Sequence, residues 1–205
     1  SPSLLITAEV EEKIKQKIIE PTLKGMKEIG CPYKGILYAG LMIENSEPKL
    51  IEYNIRFGDP ECQILMMRLE NDLIDLITAT FNKTLLNKKV SWTKEPGITI
   101  VAASKGYPGN FEKLKEIKNI RMIKLNNKKQ LFHAGTIKKN DGKIYSHGGR
   151  VLNSTVVDSS LEKARNKALE ILDNLDWSNK YYRRDIGYQV IDKWELFQEN
   201  SKEKN

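Results

Sequence analysis

The chain has 205 residues, 40% of them hydrophobic and 30% charged, a balance that excludes a disordered tail and suits between one and two globular domains. No stretch approaches the ~18 consecutive apolar residues needed to span a bilayer, SPSLLITAEVEEK lacks the pattern of a secretion signal, and two cysteines, Cys31 and Cys62, are too few for a disulfide framework, so a reducing cytoplasm is the expected setting. The net charge of +7 would suit a polyanion partner, but residues 105–139 alone carry ten Lys/Arg against two Glu, and Lys outnumbers Arg 27 to 7, which reads as a lysine-loaded solvated surface rather than a nucleic-acid face.

In chain order, residues 8–29 read as a helix. Val10, Ile14, Ile18, Leu23, Met26 and Ile29 form its stripe, Pro21 interrupts it and Gly30 closes it. Residues 34–43 are almost wholly apolar, as for a strand covered on both faces. A turn at 45–48 leads to a second strand over 49–56, giving a hairpin, and a helix is expected from about Pro60 to Phe81, with Asp59 able to cap it. The polar, lysine-rich stretch 82–96, ending in Pro96-Gly97, reads as a boundary. The domains expected are therefore 1–95 and 97–198, with 199–205 as a frayed tail. In the second domain, strands are expected at 98–103, 120–125, 130–137, 143–146 and 149–157. A helix over 160–175 follows, with Ser159 and Glu162 as a capping box. The fold class expected is mixed α/β, an antiparallel sheet with helices followed by a small domain of short strands and one long helix.

The strand at 49–56 carries the chemistry. Side chains alternate faces along a strand, so Leu50, Glu52, Asn54 and Arg56 share one face while Ile51, Tyr53 and Ile55 share the other, which is expected to be the buried one. The first face then presents a carboxylate, an amide oxygen and a guanidinium at steps of roughly 7 Å. Glu52 and Asn54 supply hard oxygens suited to Mg2+, which takes few protein ligands and fills its shell with phosphate oxygens and water. Arg56 can grip a carboxylate or phosphate with two prongs. The spacing by itself fits an ordinary polar edge equally well. The turn after it adds Gly58, a candidate for positive φ, and Asp59-Pro60-Glu61, which opens a helix whose N-terminus favours anions.

Those residues also carry a resemblance. IEYNIRFGDPECQ (51–63) closely resembles the signature of the phosphoribosylamine–glycine ligases, ATP-grasp enzymes of purine biosynthesis also called glycinamide ribonucleotide synthetases. The blocks SPSLLIT, IIEPTLKGM, YKGILYAGLMI, SKGYPG, FHAGT, HGGRVL and YRRDIGYQ are similar to that family's blocks and keep their order, so nearly the whole chain is covered. The resemblance implies ATP-dependent joining of glycine to 5-phosphoribosylamine through a glycyl phosphate, giving glycinamide ribonucleotide, ADP and phosphate. ATP with Mg2+ (or Mn2+) would serve the reaction. It implies metal ligation by Glu52 and Asn54, catalytic roles for Arg56 and Asp59, and substrate contacts from Arg56, Asp59 and Glu61; Gly148-Gly149-Arg150 can itself bring backbone N–H groups and a guanidinium to a phosphate, which makes Arg150 a further candidate substrate contact. The family's enzymes are about twice as long. The chain therefore reads as a C-terminal portion, inactive alone, whose partner is the N-terminal half of the same enzyme; small molecules, not nucleic acid or membrane, are the other expected partners. Many ATP-grasp enzymes carry a further acid near the positions of Gly40 and Leu41, so the metal set is expected to be lean here.

Two alternatives remain, another purine-pathway ATP-grasp ligase and a basic, non-catalytic nucleic-acid-binding module. Elsewhere, His133 and His147 read as structural hydrogen-bonders, SKGYPG as a turn, and Arg183, Arg184 and Asp185 as ties for the C-terminal segment. Trp177, Tyr181, Tyr182 and Trp194 read as core anchors, and both cysteines as small buried residues.

Overall fold

The computed structural model describes residues 6–188 together with 190 and 191; the expected frayed tail and Trp194 lie outside the described residues. The described chain divides into two compact units. One runs to residue 59 and includes 69–92; the other comprises 60–68 and the chain from 93 onward.

The first unit opens with α1 (Ala8–Ile14), capped by the Thr7 hydroxyl, which accepts from the Val10 N–H. A π-helical turn, Lys15–Ile19, joins it to α2 (Glu20–Glu28), and Pro21 sits at the start of α2, next to that irregularity in the helix. Gly30, at φ +80, ends α2 as expected: the Gly30 N–H donates to the Lys27 carbonyl and the Cys31 N–H to that of Met26. The hairpin pairs β1 (Tyr38–Glu44) with β2 (Glu47–Asn54), turning through Asn45 and Ser46, both at positive φ, with an irregularity between Gly40 and Leu41. Glu47 ties the hairpin to the helix through Lys13 and Lys17, and the Tyr53 hydroxyl meets Thr22 and the Ile18 carbonyl.

The expected buried face of β2 is corrected by the structure. Ile51 is 64% exposed and Ile55 75%, and only Tyr53 of that set is half-buried. The described helices of this unit reach Tyr53 and leave Ile51 and Ile55 open. Cys31 is likewise exposed and Cys62 half-buried, neither in a disulfide.

The single helix expected over 60–81 is two helices, α3 (Glu61–Arg68) and α4 (Leu73–Phe81). Between them the chain is drawn aside: the Glu70 N–H donates to the Ser91 carbonyl, and the Asn71 side chain accepts from the Ser91 N–H and donates to the Lys89 carbonyl. Asp72 then caps α4, accepting from the N–H groups of Ile74 and Asp75. The polar run Glu70-Asn71-Asp72 is the break signal, outweighed in the sequence by the apolar period on either side.

The second unit is built on β3 (Gly97–Ser104), the short β4 (Glu116–Ile117), β5 (Lys129–His133), β6 (Thr136–Lys138), β7 (Ile144–Ser146), β8 (Arg150–Val157), the long α5 (Leu161–Asp173) and β9 (Lys180–Tyr181). The main sheet runs β5-β8-β3-β9 and a smaller one β4-β7-β6, with every pair antiparallel. α5 lays Leu161, Ala164, Ala168 and Leu172 against Ile98, Ile100, Ala102, Leu152 and Val156, and Trp177 completes this core at 3% exposure. α3 belongs with this unit, since the Ile64 methyl reaches Gly97, where even a Cβ would lie 2.3 Å away. The buried Arg68 holds the same segment, donating to the carbonyls of Thr93 and Glu95.

Three further expectations are corrected here. Residues 120–125 form no strand: Asn119 takes a left-handed φ of 64 and Ile120–Met122 is a short 3-10 turn. The stretch 130–137 is two strands in different sheets, separated at Ala134-Gly135. The cap of α5 is Ser160, whose hydroxyl accepts from the Lys163 N–H, one residue later than the expected box.

Candidate functional site

The hairpin places Glu52 near the end of β2 and Asn54 at its last position. Their side chains meet, the Asn54 amide donating to Glu52 Oε1 at 3.1 Å. Two hard oxygen-bearing groups within one contact distance can serve one cation, with the Asn54 amide rotated to present its oxygen. Gly40 sits opposite Glu52 across the hairpin, and a Cβ there would lie 3.1 Å from Glu52 Cγ, so the glycine leaves Glu52 its room. Among the described residues no group of three or more His, Cys, Asp or Glu could hold a metal. Two oxygen donors by themselves suit an ion that takes most of its shell from water and phosphate, as Mg2+ does.

Arg56 is exposed and its NH1 donates to the neighbouring Phe57 carbonyl at 2.9 Å, holding the guanidinium close to its own backbone. Gly58 is buried but is not among the glycines at positive φ, which corrects the expected turn geometry. Asp59 is exposed on the turn before α3, and α3 begins at Glu61, so Glu61 stands in the first turn, where the helix dipole favours an anionic side chain. Glu52, Asn54, Arg56 and Asp59 belong to the first unit; Glu61 and Arg150 belong to the second. The structure thus brings Glu52 and Asn54 into contact within one unit.

Around Arg150 the second unit draws together three of the glycine-containing blocks. The Ser104 hydroxyl donates to the Gly148 carbonyl and the Ser104 N–H to the Gly149 carbonyl. The His147 N–H donates to the Gly135 carbonyl at 2.7 Å, and a Cβ on Gly135 would lie 2.7 Å from Gly148 Cα, closer than two side-chain-bearing residues can pass. The Tyr107 ring lies where a Cβ on Gly149 would fall. SKGYPG, FHAGT and HGGRVL are therefore one structural cluster, where the sequence by itself reads as a turn and two separate strands. His133 supports it locally, its Nδ1 at 2.8 Å from the Thr136 hydroxyl.

The YRRDIG segment is tied to the end of α5. Arg184 and the Tyr182 hydroxyl both reach the Asp173 carboxylate, and Arg165 on α5 donates to the carbonyls of Ile186 and Arg184. Burial, reinforced by that contact with Asp173, pushes the Tyr182 phenol up to about 12. Arg183 does not join this knot; it pairs with Asp185 through two parallel hydrogen bonds of 3.0 and 2.6 Å. Tyr181, expected in the core, is 54% exposed.

Several lysines of the basic run are spent on neighbours: Lys115 pairs with Glu112, Lys118 with Asp176 and Lys128 with Glu95. No described helix is long and apolar enough to cross a membrane.

Two family models match the chain in succession. Residues 1–62 match the ATP-grasp (A) domain of phosphoribosylglycinamide synthetase, and residues 97–189 match the C domain of the same synthetase. A phosphoribosylamine–glycine ligase of Brucella melitensis is 45% identical over 193 residues, covering 94% of this chain and 45% of that protein. The chloroplastic phosphoribosylamine–glycine ligase of Arabidopsis thaliana is 42% identical over 194 residues, covering 93% and 36%. The crystal structure of the phosphoribosylamine–glycine ligase of Thermotoga maritima superposes with a TM-score of 0.75 at 31% identity, over 90% of this chain and 44% of that one. The biotin carboxylase domain of Hydrogenobacter thermophilus 2-oxoglutarate carboxylase shares the fold alone, at a TM-score of 0.62 and 16% identity, over 94% and 41%. The chain thus spans less than half the length of these relatives.

Proposed function

Since this chain belongs to the phosphoribosylglycinamide synthetase family, we propose that it is the C-terminal portion of an ATP-dependent carbon–nitrogen ligase that joins glycine to 5-phosphoribosylamine. The observation that carries this reading is the succession of the synthetase's A and C domain matches along one chain, in the order the motifs suggested. On this reading residues 1–95 are the latter part of the ATP-grasp domain and 97–198 the small C-terminal domain.

The reaction begins with attack of a glycine carboxylate oxygen on the γ-phosphorus of ATP, releasing ADP. The amine of phosphoribosylamine then attacks the acyl carbon and phosphate leaves. Glu52 and Asn54 would hold the divalent cation, Mg2+ or Mn2+, which when bound screens the converging phosphate charge. Arg56 is the residue for the acyl phosphate. Its NH1 donates to the Phe57 carbonyl in the free chain, and its guanidinium fork suits a phosphate or carboxylate. Asp59 is a partner for the glycine ammonium, Glu61 a second carboxylate beside it in sequence, and Arg150 a contact for the phosphosugar. The protein acts in a reducing cytoplasm alongside the remainder of the same enzyme.

The test is turnover. The 205-residue chain alone shows no glycine- and phosphoribosylamine-dependent ADP release, whereas the chain extended by the portion its relatives carry does. In that extended chain Glu52→Ala reduces kcat by at least a thousandfold, with the melting profile unchanged. Near-normal turnover in the variant would overturn the metal assignment. A gel shift with DNA at low salt tests the non-catalytic alternative, which predicts binding with a steep salt slope.

A further inference from the structure

The pairing of β1 with β2 is not continuous. Gly40 pairs with Glu52 and Leu41 with Leu50, so Ile51 between them is left without a pairing partner. Along β1 the alternation is unbroken: Ala39, Leu41 and Ile43 are half-buried, while Met42 and Glu44 are exposed. Residues paired across a hairpin share a face, and neighbours along a strand do not. Tyr53, paired with Ala39, therefore belongs to the helix side, and its hydroxyl reaches Thr22 and the Ile18 carbonyl there. Leu50, opposite Leu41, falls on that same side and not beside Glu52, where the plain period of two puts it. The other, open face carries Met42, Glu44, Lys49, Glu52 and Asn54.

The skipped residue sets the phase. Had β2 paired without a break, Glu52 would stand opposite Ala39, on the helix side, and Tyr53 would be turned to the open one. One extra residue, a β-bulge, moves everything after it by one step and so turns Glu52 and Asn54 together to the open face. Ile51, outside either register, is 64% exposed.

Gly40 is the residue that the turned carboxylate meets. A glycine inside a strand weakens it, since it adds backbone freedom and packs nothing. The backbone gives no reason for one here, because Gly40 is not among the glycines at positive φ. The reason is on the opposite strand. Non-bonded carbons settle at ~3.5–4.0 Å, whereas a Cβ at Gly40 would lie 3.1 Å from Glu52 Cγ. The Glu52 side chain thus leans across the hairpin over the bare Cα of Gly40, and from there its Oε1 meets the Asn54 amide at 3.1 Å. Side-chain torsions sit in staggered wells, so a Cγ driven from its well by a side chain at 40 carries the carboxylate away from Asn54.

We propose that Gly40 is a positioning residue for the cation site: its missing side chain lets Glu52, turned outward by the bulge at Ile51, hold its carboxylate against Asn54. The cation rests on the ligase reading above; the clearance at Gly40 rests on the geometry alone.

Two measurements test it. In the 205-residue chain, a thermal-melting cycle crosses Gly40→Val with Glu52→Ala. Valine favours strands, so Gly40→Val raises the melting temperature once Glu52 is replaced, and raises it less or lowers it where Glu52 is kept. Equal shifts in the two backgrounds overturn the proposal. In the chain extended by the portion its relatives carry, Mn2+ is titrated in the presence of ADP and free Mn2+ is read by electron paramagnetic resonance. Gly40→Val weakens Mn2+ about tenfold or more, as losing an orienting contact around a metal ligand does, and Gly40→Ala, which adds one methyl, falls between. Turnover shows the same split: the Mn2+ concentration for half-maximal rate rises and KM for phosphoribosylamine stays in place. Where valine prevents folding, Gly40→Ala takes its place in both measurements. If Glu52→Ala loses Mn2+ and the variant at 40 binds it as the wild type does, the metal assignment stands and the proposal for Gly40 is overturned. If Glu52→Ala itself binds Mn2+ as tightly as the wild type, the metal assignment falls, whatever the melting cycle shows of the contact.

Discussion

The two units use similar apolar residues to opposite effect. In the second, β8 is buried at every position after Arg150, and the sheet and α5 enclose sixteen buried hydrophobic residues. In the first, Val10, Ile18 and Ala79 are the buried hydrophobics among the described residues, while Ile51, Ile55, Ile74, Phe81 and Leu86 are exposed. The difference is one of layers. A four-stranded sheet with a long helix across it closes a core, whereas the described helices of the first unit leave its two-stranded hairpin largely open. A hydrophobic pattern states which residues want to be covered; only a second layer covers them.

The sharpest test of that contrast is paired truncation. Leu172→Ala removes a side chain with no exposed surface from the second unit and should cost about 2–5 kcal/mol in denaturant unfolding. Ile51→Ala, the same loss of bulk on the open hairpin, should change stability by less than about 0.5 kcal/mol. Equal costs would break the comparison. A smaller effect is expected at the helix break: Asp72→Ala should destabilise α4 by about 1 kcal/mol, because two N–H groups lose their acceptor. Amide exchange should speed up in residues 73–81 and not in α5.

The smallest effect is electrostatic. Hydrogen bonds from Lys13 and Lys17 hold the Glu47 carboxyl down to about 2, against an ordinary 4.5. A depressed carboxylate stabilises above its unfolded value, so the tie between helix and hairpin is intact above about 4.5 and is lost as pH falls toward 2. The side chains of Glu47 and Lys17 are half-exposed and that of Lys13 less so, and none is buried, so the loss should be slight and should be strongly screened in 1 M salt. A carboxyl titration of Glu47 by NMR checks the direction. A midpoint at the ordinary value would remove the tie.

Much of this architecture was legible. The apolar stripe of α5, the strand 149–157 and the Gly30 terminus each carry a local signal that needs no partner. The Glu52–Asn54 pair was legible for the same reason, since a period of two puts both on one face whatever surrounds the strand. The break at Glu70-Asn71-Asp72 was not, because it depends on Ser91 and Lys89, twenty residues away in sequence, supplying backbone partners. Nor was Gly58, whose type permits a positive φ that its surroundings do not use.

The cluster of SKGYPG, FHAGT and HGGRVL divides the two kinds of knowledge most clearly. By itself the sequence determined that SKGYPG is a turn, that FHAGT and HGGRVL run into strands with one arginine among them, and that the order of the blocks resembles that of the synthetase family. Tertiary structure decided that Gly135 passes Gly148, that Tyr107 covers Gly149, and that Arg150 and Arg183, far apart in the chain, line one cleft. Dihedral preference and side-chain period act over a few residues and can be read in order. Which backbones approach closely enough to exclude a Cβ is settled only when distant strands pair, and no local pattern encodes that distance.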